Sequence, residues 1–381
     1  MPIDLAASIP LIDHHCHGVT TADLDYPAFQ RLISESFRPP PEGTSEFLKP
    51  VGLAIRRFCA PLLDMPKGVS GQDYVAGRQA MGATEVNRRF LRACGLSAMV
   101  IDTGHRAGMI LDVPGMADVA AVPGYEVVRI EALAEEVARG GVAADDFAAT
   151  FDRVLRERAK GAVGLKTIVA YRTTFVIDYT RPSPSKVAQA AGRWIAAAVA
   201  SGNWRLADAT VIRHLLWTAG EVCRERRFPL QVHVGVGDAD ILMHACDPTH
   251  FTPFIAAMDD WDIAVTLLHS FPFLRECCWL SEVFRNVYYD VGFTLNFAAP
   301  QAETCLAEAL EMGKFTKMLY SSDAFGLPEL FYLGAFQFRR SISRVLDRWI
   351  ADDFCDLNDA EDIVALIARG NARRIYPLPA A

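Results

Sequence analysis

The sequence predicts an α/β protein folded as a (β/α)8 TIM barrel with a helical insertion after its first strand, and three observations predict it. Short apolar runs rich in β-branched residues alternate with longer amphipathic stretches along the whole chain. Eight such runs can be placed, each leading towards a helical pattern. Polar residues able to hold a ligand close several of the runs, as a site at a barrel mouth requires. No glycine-rich phosphate loop follows the first run, which argues against a doubly wound nucleotide-binding sheet.

Taken in order, the strands are expected at 9–17, 98–103, 126–130, 163–171, 230–234, 263–269, 287–291 and 317–322. Helical patterns occupy 74–94, 145–160, 185–201, 208–226, 249–258, 273–284, 301–312 and 329–350. A typical barrel needs ~250 residues, so a chain of 381 residues carries a large surplus. Much of it lies between the first two strands, where about 80 residues stand in place of the roughly 30 that a βα unit with its next strand takes. Segments 26–37 and 45–63 read as extra helices there, joined by Arg38-Pro39-Pro40-Pro41-Glu42-Gly43. The expectation is a single domain over 1–381, with 19–72 forming a helical cap over the barrel mouth.

Composition narrows the function. At 51% hydrophobic and 22% charged residues the chain is expected to fold. A formal charge of −8 has the wrong sign for a protein whose main partner is a phosphate backbone, so nucleic acid is excluded as the main ligand. The first ten residues lack a basic signal region and no apolar run approaches ~18 residues, so no export and no membrane span are expected. Nine cysteines, an odd number without a CxxC pair, fit a reducing, cytoplasmic setting in a chain too long to need disulfide staples. The expected partner is a small-molecule substrate, and a homo-oligomer is left open.

The chemistry lies at the strand ends. The first strand closes with Asp13-His14-His15-Cys16-His17, and strand alternation places His15 and His17 on one face, where two imidazoles can chelate one cation. Such a pair arises by chance in roughly one chain in five of this histidine content, so its weight comes from company. His233 closes the fifth strand, His269 the sixth, and Asp323 follows the eighth. Buried imidazoles and a carboxylate converging on one mouth are costly without a cation or a full hydrogen-bond network. His14 points away from the chelating pair and is expected to pack against a helix.

This pattern resembles the metal-dependent amidohydrolase superfamily, with HxH on strand one, histidines on strands five and six, and aspartate on strand eight. The resemblance is nearest to the amidohydrolase-2 group, and within it to the amidohydrolase-like part fused to glutamine-synthetase-like proteins. The segments 164–172, 231–240, 267–275 and 320–329 carry it. It implies His15, His17, His233 and Asp323 as metal ligands, with His269 a further ligand or an acid/base partner. It places Lys166 on strand four, where binuclear members carry a lysine carboxylated by CO2. An ion pair between Lys166 and Asp323 or another carboxylate is the alternative. One or two divalent ions are implied, with zinc suited to imidazole and carboxylate, and manganese, nickel or iron able to use the same ligands.

The expected activity is hydrolysis of a small amide or lactone, with or without a carboxylate on it, with Asp323 and His269 catalytic. Arg172, six residues beyond Lys166, would lie ~20 Å further along a regular strand, on a loop above the site. There it would clamp a substrate carboxylate or stand exposed on the surface. Arg106, beside His105 after strand two, is a second substrate-binding candidate. Asp238 and Asp240 either reach the mouth or cap a helix, and Phe271, Phe273 and Phe325 are expected in the pocket wall. A decarboxylase or sugar-acid isomerase would use nearly the same ligands, and a non-catalytic sensing barrel would be marked by a missing ligand, of which there is none.

Overall fold

In the computed structural model, which describes residues 6, 8–106, 108–237 and 239–379, seven strands pair in chain order. They are β1 (Leu11–Cys16), β2 (Leu96–Asp102), β3 (Gly124–Arg129), β4 (Ala162–Thr167), β5 (Leu230–His233), β6 (Val265–Leu268) and β7 (Val287–Tyr289), and each pairs with the next in parallel. The eighth position is an extended segment rather than a full strand. Met318 bridges Tyr289 on one side, and on the other the His14 and Asp323 amides donate to the Tyr320 and His15 carbonyls at 3.2 and 3.0 Å. These bonds close the sheet into a barrel.

Alternation along the strands sorts the apolar side chains into two groups. Ile12, Ala98, Val100, Val127, Val163, Tyr288 and Leu319 form a cluster inside the barrel, and Ala372 and Tyr376 of the C-terminal segment complete it. The opposite faces of the same strands, including Leu11, Met99, Leu165, Leu230 and Leu267, pack in the larger cluster with the surrounding helices. Caps set where helices begin. Asp25 accepts from the Ala28 amide, Asp208 from those of Thr210 and Val211, and Asp356 forms a capping box with Asp359.

Several boundaries differ from the sequence expectation. The predicted helix over 74–94 is two, Gly71–Met81 and Ala83–Ala93, broken at Gly82, whose φ of 83° leaves the helical region. Segment 45–63 is helical but irregular: the 3-10 turn Glu46–Leu48 is followed by a continuous helical stretch from Pro50 to Leu63 that passes from α through π to 3-10 geometry. The fourth strand ends at Thr167, and the chain then turns into the short helix Val169–Thr173 because Glu131 captures the Thr167 hydroxyl and the Ile168 amide. Among the described residues no helix is long and apolar enough to cross a membrane.

The helix that follows the inserted segment is anchored by charge as well as by packing. Arg78 on Gly71–Met81 donates through Nε to Glu329 Oε1 at 2.8 Å, and the Tyr74 hydroxyl donates to the same oxygen at 3.0 Å, all fully buried. Glu329 lies in the first turn of Pro328–Ala351, the helix that follows Asp323. Removing one member strands a buried charge. Glu329→Gln is therefore expected to cost about 3–5 kcal/mol, whereas Arg78→Met combined with Glu329→Leu costs far less. Urea titration of the three proteins checks both statements.

Candidate metal centre

Local geometry at the end of β1 brings the two chelating histidines together. The register of β1 on β2 slips between Asp13 and Cys16, and the imidazoles of His15 and His17 meet edge to face with centroids 5.2 Å apart. Asp13 fixes the facing segment by accepting from the Ser322 amide and hydroxyl at 3.0 and 2.5 Å. That places Asp323 opposite the pair. His15, His17 and Asp323 form a cluster whose ligand atoms all lie within 4.8 Å of one another.

Proton positions decide what this cluster can hold. His15 Nδ1 lies 2.9 Å from Gln231 Oε1 and His17 Nδ1 lies 3.2 Å from the Asp102 carbonyl, and both of those oxygens can only accept. Each imidazole therefore carries its proton on Nδ1 and turns the Nε2 lone pair inward. Those lone pairs face Asp323 Oδ1 at 3.2 and 3.6 Å, acceptor against acceptor. His269 Nδ1 stands 3.2 Å from Asp323 Oδ2 without hydrogen-bond geometry, also fully buried. Ligand atoms about 2.1 Å from a zinc-sized ion are separated by about 3.0–3.4 Å, so the residues present fit a divalent cation.

The charges agree. Burial lowers His15 to about 3, helped by the Lys166 charge, and lowers His269 to about 4, so both imidazoles are neutral and able to ligate. Burial alone would raise the Asp323 carboxyl, whereas a proton on the His269, His15 or His17 ring beside it favours the carboxylate and holds it well below the usual range. Asp323 and His269 also have left-handed backbones, with φ of 49° and 71°, a conformation that costs of order 1–3 kcal/mol per residue and clusters at functional sites.

The other candidates are placed unevenly. His233 is buried beside His269, ring centroids 4.7 Å apart, but its Nε2 donates to the Val236 carbonyl at 2.8 Å, leaving Nδ1 as its free lone pair. The turn after it depends on Gly235, at φ 69°, where a Cβ would come within 2.0 Å of the Phe271 carbonyl oxygen. Lys166 is buried, with Nζ 2.9 Å from His15 Nε2 and 3.3 Å from Asp102 Oδ2. It pairs with Asp102, not Asp323. Arg172 lines the same cavity as Asp323, but from a short helix rather than from a loop above the site. It lies on Val169–Thr173 and donates to Glu135 Oε1 at 2.8 Å and to the Leu206 carbonyl.

Arg106 is exposed over the Phe325 ring at 5.6 Å, and Arg106, Phe325 and His105 line or border the same cavity as Asp323. That cavity measures ≈ 260 Å³ and also takes Arg31 and Leu32 from the inserted segment and the stacked pair Phe293 and Phe297. Phe271 is instead exposed, at 42% of its surface. Asp240 pairs with Arg205 at 2.7 Å, and Asp238 lies outside the described residues. His14 does not pack against an outer helix. It points into the barrel and bonds Asp290 and the Tyr376 hydroxyl at 2.8 and 3.0 Å.

Three residues at the mouth escaped sequence reasoning. Asp102, Arg129 and Asp290 each close or follow an apolar strand, the same signal that picked out His233. Arg129 donates to Asp102 through Nε and Nη2 at 3.0 and 2.5 Å.

Residues 114–378 match the family model described as Amidohydrolase, Amidohydro_2. The chain belongs to the amidohydrolase family. This amidohydrolase is 27% identical over 404 aligned residues to protein fluG of Emericella nidulans, covering 97% of the chain and 46% of that protein. It thus spans about half the length of this curated relative, in keeping with a resemblance to one part of fusion proteins. Among solved structures, a protein assigned as a metal-dependent hydrolase from Lactobacillus casei ATCC 334 is 24% identical, with a TM-score of 0.85 over 98% of this chain and 96% of that one. A uronate isomerase from Bacillus halodurans C-125 is 14% identical, with a TM-score of 0.63 over 98% and 94%. These structures share the amidohydrolase's barrel fold.

Proposed function

We propose that this amidohydrolase is a metal-dependent hydrolase that activates water to cleave a small amide or lactone carrying a carboxylate. The observation that carries the reading is the pair of imidazole lone pairs turned on Asp323 at the floor of a cavity bordered by Arg106. His15, His17 and Asp323 would hold a divalent ion, most suitably zinc, with His233 contributing Nδ1. Bound there, the ion supplies a Lewis acid that polarises the scissile carbonyl and lowers the pKa of water from ~15.7 towards about 7.

The protein's own groups account for the rest of the reaction. Asp323, as a carboxylate, accepts the proton of the attacking water and returns it to the leaving nitrogen or oxygen as the C–N or C–O bond breaks. His269 donates a hydrogen bond to the oxygen of the carbonyl as charge develops on it. Arg106 is free of a carboxylate partner in the described contacts and receives the substrate's carboxylate. Arg172 is held by Glu135 and shapes the cavity wall instead.

Lys166 changes character when the site is loaded. Its ammonium donates to the same His15 nitrogen that an ion would take. A double charge beside a single one about 4 Å away costs several kcal/mol even at an effective dielectric constant of about 20. Carboxylation, in which the free amine adds CO2 and releases a proton, reverses the sign and supplies two oxygen ligands. Two metal ions per chain are then expected, with Lys166→Ala retaining one and short-chain carboxylates restoring part of the activity. A wild-type stoichiometry of one ion with an unmodified ammonium ends this part of the reading.

Isotope-labelled water tests the reaction class. In H218O, hydrolysis of carboxylate-bearing amides or lactones places 18O in the product acid and adds the mass of water. Mass-conserving conversion of a uronate, or CO2 release, would replace hydrolysis with isomerisation or decarboxylation.

A further inference from the structure

Beneath the metal centre a second set of buried polar groups runs down the barrel axis, and its donors and acceptors can be ordered one by one. Gln231 Nε2 lies 2.8 Å from the His14 carbonyl and 2.8 Å from the Tyr376 hydroxyl, so both amide hydrogens are committed and Oε1 must face His15. A flipped amide would set its oxygen against the His14 carbonyl oxygen. Having accepted from Gln231, the Tyr376 hydroxyl donates to His14 Nδ1 at 3.0 Å. His14 then donates through Nε2 to Asp290 Oδ2 at 2.8 Å. The other oxygen of Asp290 accepts the His269 and Gly292 amides at 2.9 and 2.8 Å. Gln231, His14, Asp290 and Tyr376 are all buried to 2% exposure or less.

We propose that Gln231 and Tyr376 are positioning residues, forming a one-way hydrogen-bond relay from His15 to Asp290 that keeps the His15 proton on Nδ1 and its Nε2 lone pair aimed at Asp323. The relay gives the C-terminal segment a task at the opposite end of the barrel. Lys166 faces the other ring nitrogen, so the Nδ1 proton answers to Gln231. The affinity arm of the test rests on the metal-site reading above; the proton arm stands without an ion.

The experiment compares wild type, Gln231→Leu, Tyr376→Phe and the double variant. In ion-free protein labelled with 15N-histidine, wild type is expected to show a slowly exchanging, downfield Nδ1 proton for His15, identified by its absence in His15→Ala. Gln231→Leu loses that signal and Tyr376→Phe shifts it. Zinc binding weakens about 10- to 100-fold in Gln231→Leu, the range for partners of a ligating histidine, and by a smaller factor in Tyr376→Phe. Because tyrosine acts through the amide, the double variant binds zinc no more weakly than Gln231→Leu alone.

An unchanged His15 proton in both single variants, or additive zinc losses, overturns the relay. Should Gln231→Leu fail to fold, Tyr376→Phe, which keeps the ring in its cluster, still decides by its proton shift. If wild type binds no zinc, the proposed function falls and the proton signal alone judges the relay.

Discussion

Asp323→Asn is expected to lower kcat by about 10²- to 10⁴-fold while changing KM little. Asparagine fills the same space on the same left-handed turn, a conformation asparagine tolerates well, so the cavity keeps its shape. What it loses is basicity, because an amide cannot take the proton of the attacking water, and general-base loss is worth roughly that factor. It also removes a negative charge from among His15, His17 and His269, which weakens cation binding. Metal content must therefore be measured on the assayed sample. A fully metallated variant with near wild-type kcat would leave Asp323 as a ligand only and place the base elsewhere.

Purified wild type is expected to hold at least one transition-metal ion per chain, and His17→Ala to lose it, with affinity reduced by more than the ~100-fold that an outer partner of a ligand can cost. His15→Ala should do the same. Chelator-treated wild type regains activity on addition of zinc, whereas the variants do not at the same free zinc concentration. Full activity in metal-free protein would refute the metal-dependent reading outright. The two variants also separate chelation from packing. His17 lies just past the end of β1 with its Nδ1 on a carbonyl, so its loss leaves the strand ladder intact.

The barrel and much of its mouth were legible because both follow a period of two. Each strand's apolar alternation marks its faces, and a polar residue at its end marks the rim, so His15, His17, His233, His269 and Asp323 could be found without coordinates. The same pattern misled at Val169, Ala170 and Tyr171. These residues suit a strand but fold as a helix because Glu131, 36 residues from Thr167, takes the hydrogen bonds that would have continued the ladder. Arg172 follows them onto the helix, and its Glu135 partner, 37 residues distant, left no local sign in the sequence. Lys166 carries no local sign of choosing Asp102 over Asp323. The eighth strand was expected in full, yet Lys317, Tyr320 and Ala324 reach their partners through isolated bonds rather than a continuous ladder. Tyr376 gave no signal, because a tyrosine next to a chain end reads as surface until the barrel floor it fills is known.

Closure of the barrel by the 317–324 segment has a consequence for synthesis. Asp13 and its Ser322 partner are separated by 309 residues, and at ribosomal rates of about 5–20 residues per second the first leaves the ribosome about 15–60 s before the second. For that interval the histidines of the first strand are a solvent-exposed pair with no carboxylate opposite them. The cluster of His15, His17 and Asp323 therefore exists only once the 317–324 segment has closed the barrel, so selective loading belongs to the finished protein.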